Sequence, residues 1–183
     1  MVKINLGSGH WKLDGWVNVD LDIDSIPDVC ANLAVRLPFR DGCADLMHTE
    51  DFIDQLELNE ARAFLVDCHR ILKPGGILRV LTPDLEKLAQ LYLNDCEYLK
   101  NLWREHVGVP LQTGTPGEIF NVGMRFAGHT FLYDAETFAL LASECGFKPC
   151  RTSYQQSKNE QLRGLDLRSP DDSVSMYFDC YKQ

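Results

Sequence analysis

The chain has 183 residues, 45% of them hydrophobic and 25% charged, the proportions of a globular domain large enough to bury a core. Eighteen Lys and Arg against 27 Asp and Glu leave a formal charge of -9, which argues against an unassisted grip on nucleic acid or an anionic membrane and for small or neutral ligands. No apolar run is long enough to cross a bilayer. Met1 to Leu6 runs straight into Gly7-Ser8-Gly9 without the sustained apolar segment of a secretory signal, so a cytoplasmic location is expected. The seven cysteines are scattered and form no C-x-x-C; they read as reduced small hydrophobes, with no metal site.

Val2-Lys3-Ile4-Asn5-Leu6 is β-branched and alternating, and the glycines after it predict a strand entering a tight turn. Residues 16–20 predict a second strand, the acidic stretch 20–28 a loop, and 28–31 at best a short strand. Leu37-Pro38-Phe39-Arg40-Asp41-Gly42 is turn chemistry ahead of a further strand at 44–49. From Asn59 the period changes: Phe64, Leu65, Cys68, Ile71 and Leu72 fall at helical spacing, with Asn59 as cap and Lys73-Pro74-Gly75-Gly76 as the stop. A strand over 77–81 follows. Thr82-Pro83-Asp84 predicts a helix with Pro83 at its first position, running to about Glu105 with a break near Asn94-Asp95. Residues 108–130 show no periodicity and carry seven Gly and Pro; loops beyond ~12–15 residues are usually functional or disordered, and the aromatic content predicts an ordered loop covering a site. Asp134 predicts the cap of a helix through Glu144, closed by Gly146. Two late strands, over 147–154 and 174–181, flank a polar segment. The alternation predicts an α/β fold with a mainly parallel sheet, as one domain over residues 1–183.

In such sheets ligands gather beyond the carboxyl ends of the strands. Gly7 and Gly9 sit at one such end and Asp20 closes the next strand. The third glycine of a dinucleotide fingerprint is missing, since His10-Trp11-Lys12 follows, and Asp20 comes earlier than the usual ~20-residue interval. The pattern therefore suits a ligand with a ribose but no pyrophosphate, with Asp20 accepting the ribose hydroxyls, or else a plain strand-ending turn.

Taken together, Asn5-Leu6-Gly7-Ser8-Gly9, Gly15-Trp16-Val17-Asn18-Val19-Asp20, Leu37-Pro38-Phe39-Arg40-Asp41 before Ala44-Asp45-Leu46, and Leu72-Lys73-Pro74-Gly75-Gly76-Ile77-Leu78-Arg79-Val80 with Pro83-Asp84-Leu85 resemble the class I S-adenosylmethionine-dependent methyltransferases. Downstream, Gly128-His129, Tyr133-Asp134-Ala135-Glu136-Thr137-Phe138 and Leu162-Arg163-Gly164-Leu165-Asp166 are similar to small methyltransferases associated with polysaccharide and cell-surface sugar pathways. The resemblance implies a Rossmann-like seven-stranded sheet ending in a reversed hairpin, with helices on both faces. It implies S-adenosylmethionine as cofactor, S-adenosylhomocysteine as its product, and a site over the first two strands. Gly7 and Gly9 would approach the methionine and ribose, Asp20 the ribose hydroxyls, and Asn32 and Leu33 the adenine. Thr49, Glu50 and Asp51 would face the methionine and the acceptor, with Asn5, Leu6, Ser8, His10 and Leu21 completing the cofactor set.

The chain departs from the family at Asn32-Leu33, where relatives carry an acidic residue followed by a small one. It departs again at Asp51-Phe52-Ile53-Asp54-Gln55, where relatives often read His-x-x-Glu-His. No segment precedes the first strand as a lid, so the loop at 108–130 or a partner subunit, such as a second copy in a homodimer, is expected to cover the site. An oxygen acceptor must lose a proton, which calls for a carboxylate or imidazole. Asp51 and His129 are the catalytic candidates, with Glu50 behind them; His48 and His69 read as structural. Arg125 and Arg163 either clamp an acidic group or make surface ion pairs, and Trp11, Trp16 and Trp103 read as packing. The expected activity is methyl transfer to a small metabolite, sugar-like or otherwise, with oxygen favoured. A catalytically silent cofactor-binding module is the alternative and a nicotinamide oxidoreductase a distant third. Neither nucleic acid nor membrane is expected as a partner.

Overall fold

A computed structural model describes all 183 residues. Its seven strands are β1 (Lys3–Leu6), β2 (Val17–Asp20), β3 (Val29–Cys30), β4 (Ala44–Glu50), β5 (Leu72–Pro83), β6 (Phe147–Arg151) and β7 (Ser175–Lys182). They form one sheet in the order β3-β2-β1-β4-β5-β7-β6. The first five strands run parallel, and β7 pairs antiparallel with both β5 and β6. This is the Rossmann-like sheet with a reversed C-terminal hairpin that the resemblance implies. The strand order reverses between β1 and β4, so their carboxyl ends form the topological switch point where such sheets bind ligands.

Some boundaries move. Helix α1 (Leu58–Ile71) is capped by Glu57, not Asn59: the Glu57 N–H donates to Glu60 Oε2 at 3.0 Å, a carboxylate reaching back over the first turn. The Lys73-Pro74-Gly75-Gly76 run lies within β5, which starts where α1 ends. Gly76 belongs there because a Cβ would lie 2.9 Å from the Lys73 carbonyl oxygen. Pro83 closes β5 instead of opening a helix. Asp84 is the cap of α2 (Leu85–Asn94), its Oδ1 accepting from the Glu86 and Lys87 N–H groups. The break falls at Asp95, which caps α3 (Cys96–Leu102), and the helix gives way to a wider turn over Trp103–Val107.

Residues 108–130 are not the aperiodic loop expected. Thr115 caps α4 (Pro116–Gly123) with Pro116 at its start, and Glu118 gathers the N–H groups of Gln112, Thr113 and Gly114 at 2.6, 2.7 and 2.9 Å. Proline and glycine read as loop punctuation, yet here they mark a helix start and its last residue. Helix α5 (Ala135–Glu144) follows its Asp134 cap as expected.

The main core joins Ile4, Leu6, Met47, Leu78 and Val80 of the sheet to Phe64 and Leu65 of α1 and Phe138 of α5. On the alternate side chains of the same strands, Leu46 and Ile77 pack with Trp16 and Leu162. A second cluster, Leu88, Leu99, Trp103, Ile119 and Leu132, binds α2, α3 and α4 into a helical cap inserted between β5 and α5. No helix is long and apolar enough to cross a membrane.

The connection from β6 to β7 is held from below by Arg79. This side chain has no exposure, and its Nε donates to Asp166 Oδ1 at 2.7 Å while Nη1 reaches Asp179 Oδ1 at 2.8 Å and Thr152 Oγ1 at 3.0 Å. Nη2 bonds the other Asp166 oxygen and the Ser153 carbonyl. Replacing Arg79 by Met leaves two carboxylates buried without their cation, an arrangement that costs about 3–5 kcal/mol. Urea unfolding of Arg79→Met should show a loss of that size; a loss under about 1 kcal/mol would mean the carboxylates find other partners.

Candidate functional site

At the switch point the β1 and β4 ends enclose a cavity of about 170 Å³ lined by Asn5, Gly7, Ser8, Gly9, Glu50 and Asp51, with Leu165, Leu167 and Arg168 on the far side. Six residues of the expected cofactor and catalytic sets thus meet in one cleft. The two glycines differ in what they do. Gly7, at φ +69°, has Phe52 packed over it, so that a Cβ would lie 2.9 Å from the Phe52 side chain. Gly9, at φ +45°, faces open space, which leaves its backbone open to approach.

The neighbours are fixed by a buried polar network. The Asn5 amide donates to Asn18 Oδ1 at 3.1 Å and to the Trp11 carbonyl at 3.2 Å, and its oxygen meets His48 Nδ1 at 3.1 Å. Asn18 also accepts from the Leu13 N–H and so shapes the helix-free turn between β1 and β2. Burial holds His48 neutral, with its pKa pushed down to about 4; its contact with Asn5 leaves Nε2 without a partner. Leu6 lies in the main core. Ser8 Oγ is buried and unpartnered. His10 is exposed.

Asp20 sits at the β2 terminus, half-buried, with Oδ2 accepting from the Gly9 N–H at 2.7 Å and Oδ1 from the Asp22 N–H at 2.9 Å. Leu21 and Asn32 lie exposed along the same edge, where Asn32 Oδ1 accepts from the Ala34 N–H. Leu33 is buried in the main core and presents no free surface. Thr49 is also buried, its hydroxyl unpartnered.

Beyond β4 the chain turns sharply. Asp51 takes φ +51°, a left-handed conformation costly outside glycine. Its N–H donates to the Leu81 carbonyl, and its own carbonyl accepts from Gln55 Nε2 at 2.6 Å. Its carboxylate pairs with Arg168 Nε at 2.6 Å. Arg168 belongs to a strap, residues 163–173, that no local signal in the sequence places here. Glu50 clasps the strap, accepting from the Leu167 and Arg168 N–H groups at 3.1 and 2.8 Å. Burial raises the Glu50 pKa to about 7, against the pull of those two N–H groups.

A second cavity, of about 490 Å³, opens between the strap and the helical cap. Its wall includes Trp103, Phe126, His129 and Gln55, and Asp51 and Arg168 line both cavities. They are the only residues the two linings share. His129 Nδ1 donates to the Gly123 carbonyl at 2.9 Å, the only polarity that contact allows, and Nε2 lies 3.2 Å from Asp54 Oδ2. Asp54 has no exposure; its other oxygen accepts from Thr82 Oγ1 at 3.0 Å. Burial raises the Asp54 pKa and the facing imidazole opposes the rise. Asp54 was not singled out in the sequence, although it stands where relatives often carry the Glu of the His-x-x-Glu-His pattern. Arg163 donates to the Ser157 carbonyl, a structural role, and Arg125 is exposed. No group of three His, Cys, Asp or Glu side chains is placed to hold a metal ion.

Residues 17–80 match the family described as "Methyltransferase domain". No curated protein matches the chain. Among solved structures, an S-adenosylmethionine-dependent methyltransferase from Archaeoglobus fulgidus is similar over 98% of this chain and 85% of its own, at 14% identity and a TM-score of 0.59. One from Mesorhizobium loti is similar over 99% and 90%, at 14% identity and 0.58. A Haemonchus contortus N-methyltransferase, solved with phosphomonomethylethanolamine and S-adenosylhomocysteine, is similar over all of this chain but 48% of its own, at 12% identity and 0.60. At such identities the likeness is one of fold.

The raised Glu50 pKa has a pH consequence. Folding lifts it from 4.5 to about 7, so the native state binds the proton more tightly than the unfolded chain. Its stabilisation is complete below pH 4.5 and is lost as the pH rises through 7, a change of about 3 kcal/mol. Glu50→Gln removes this dependence: its stability relative to the parent should rise by about 2–3 kcal/mol between pH 5 and pH 8 in urea titrations. Parallel profiles for the two proteins would show that Glu50 does not titrate as described.

Proposed function

We propose that the chain is a class I S-adenosylmethionine-dependent methyltransferase and that it passes the methyl group to a hydroxyl oxygen of a small molecule held in the larger cavity. The observation that carries this is the shared pair Asp51 and Arg168, which stands where the smaller cavity at the glycine turn meets the larger one under the cap. When bound, S-adenosylmethionine supplies an electrophilic methyl on a positively charged sulfur.

The chain's residues fit that group. A carboxylate has about four acceptor sites; backbone N–H groups use two on Asp20, and the others remain for the ribose hydroxyls. Gly9 admits the ligand to the backbone, and Ser8 Oγ is a buried polar atom in need of a partner. The cavity of about 170 Å³ is below the ~300 Å³ of a complete ligand pocket. It takes the methionine portion, and the adenosine lies along the open edge beside Leu21 and Asn32. Leu33 and Leu6 support that edge from within the core. His10 is not part of this cavity's lining.

Asp51 is the base in this reading. Its carboxylate stands at the junction, oriented by Arg168, with Oδ1 left to receive the acceptor's proton. His129 is a positioning residue: one ring nitrogen is committed to Gly123 and the other faces Asp54. Alignment contributes on the order of 7–11 kcal/mol to such reactions, and the cap helices and strap exclude water. They also wall the cavity without a second copy of the chain. Residues 1–183 act together as one unit, and the seven free cysteines suit the cytoplasm.

Asn tolerates a left-handed backbone, so Asp51→Asn should fold normally. It should lower the transfer of labelled methyl to a panel of alcohols, phenols and sugars by about 10²–10⁴-fold, with affinity for S-adenosylhomocysteine within about threefold. Asp20→Ala should weaken that affinity by about tenfold or more, the loss of charge-assisted hydrogen bonds, in a calorimetric titration. Turnover unaffected in Asp51→Asn would remove it as the base. Tight binding without turnover of any acceptor would favour the silent-module alternative.

A further inference from the structure

We infer that the acceptor is a hydroxyl compound with an aromatic or branched-alkyl body, not a free sugar. This rests on the reading of the larger cavity as the acceptor site and departs from the sugar-like acceptor that the resemblance implies.

The cavity is the mouth of the second hydrophobic cluster. Leu88, Leu99, Trp103, Ile119 and Leu132 build both, and half of the lining residues are apolar. A volume of about 490 Å³ lies within the ~300–1,000 Å³ range of small-molecule sites. Trp103 and Phe126 stand edge to face, with ring centroids 6.0 Å apart, an arrangement that a third ring can extend.

Most polar groups in the wall already have partners within the chain. Trp103 Nε1 donates to the Val109 carbonyl at 2.8 Å and Ser173 Oγ to the Ser169 carbonyl at 2.8 Å. Gln55 Nε2 and Arg168 Nε are both held by Asp51, and His129 lies between Gly123 and Asp54. A hexose brings about five hydroxyls, each costly to bury without a partner. The groups left free in the wall include Asp172 Oδ1, buried and unpartnered, the unshared oxygen of Asp51, Gln55 Oε1 and the Nη groups of Arg168, set against ten apolar lining residues. Such a wall favours a ligand with one reacting hydroxyl and an apolar remainder over a polyol. Trp11, a ring on which a sugar could stack, is 68% exposed and lines the other cavity.

Gly123 allows the site to be filled. A Cβ there would meet the Trp103 ring at 3.8 Å and Leu88 at 3.9 Å, ordinary contacts within the cavity wall, and its φ is not left-handed. Gly123→Leu should therefore occupy acceptor space, and Gly123→Ala should narrow it while leaving the fold intact.

The test is calorimetric titration of the full chain, first with S-adenosylhomocysteine, then, once saturated, with 4-ethylphenol and with glucose. The expected result is 4-ethylphenol binding at least tenfold tighter than glucose. Its affinity should fall at least tenfold in Gly123→Leu and a fewfold in Gly123→Ala, with S-adenosylhomocysteine affinity unchanged in both. Glucose binding as tightly as the phenol, neither probe binding, or phenol affinity unaltered in the Gly123 variants would overturn the inference. Failure of S-adenosylhomocysteine itself to bind would instead overturn the methyltransferase site on which it rests.

Discussion

A guanidinium with no access to solvent, that of Arg79, joins the end of the chain to its middle. Taking a cation and two carboxylates out of water is unfavourable unless geometry and hydrogen bonds offset the loss. Here Nε, Nη1 and Nη2 all find acceptors, on Asp166, Asp179, Thr152 and the Gln156 and Ser153 carbonyls. Ser157 Oγ donates to the remaining Asp179 oxygen, and the Gln155 N–H adds a second bond to Asp166 Oδ2. The planar fork suits this task where a lysine would not. Its effect is positional. With Asp166 fixed beneath the sheet, the next residues, Leu167 and Arg168, are delivered to the carboxyl end of β4, where Glu50 and Asp51 receive them.

From that placement the site follows. The parallel strands bring the glycine turn and Asp20 to one edge, and the reversal of strand order opens a cleft between β1 and β4. The strap divides the cleft from a deeper, apolar space beneath the helical cap, and the division is made by one ion pair. The left-handed backbone at Asp51 is strain of the kind that persists only where neighbours over-determine it, and Leu81, Gln55 and Arg168 do so. Two ionisable groups sit behind this boundary with raised pKa values, Glu50 and Asp54, a clustering common at functional sites.

Local chemistry made much of the fold legible. The alternation of Val2 to Leu6, the helical spacing from Phe64 to Ile71, and the Asp134 cap are short-range signals, and each lies where residues near in sequence decide the outcome. The resemblance supplied the seven-stranded sheet and its reversed terminal hairpin, which no local signal carries. What stayed hidden was set by distant partners. Asp54 matters because Thr82 and His129 meet it in space, and Arg168 because Arg79 fixes the segment before it. Glycines and prolines in residues 108–130 suggested a loop, although Thr115 and Pro116 together are a helix start. Gly7 and Gly9 were alike in the sequence and are separated only by Phe52, which packs on one of them. Leu33, named for its neighbourhood to the adenine, belongs to the core.

A crystal structure of the chain with S-adenosylhomocysteine tests the central assignment most directly. The account predicts the ribose on Asp20, the amino-acid portion in the cavity at Ser8 and Gly9, and the sulfur directed through the Asp51–Arg168 boundary toward the apolar space. Density placing the ribose away from Asp20, or the sulfur turned from that boundary, would contradict it.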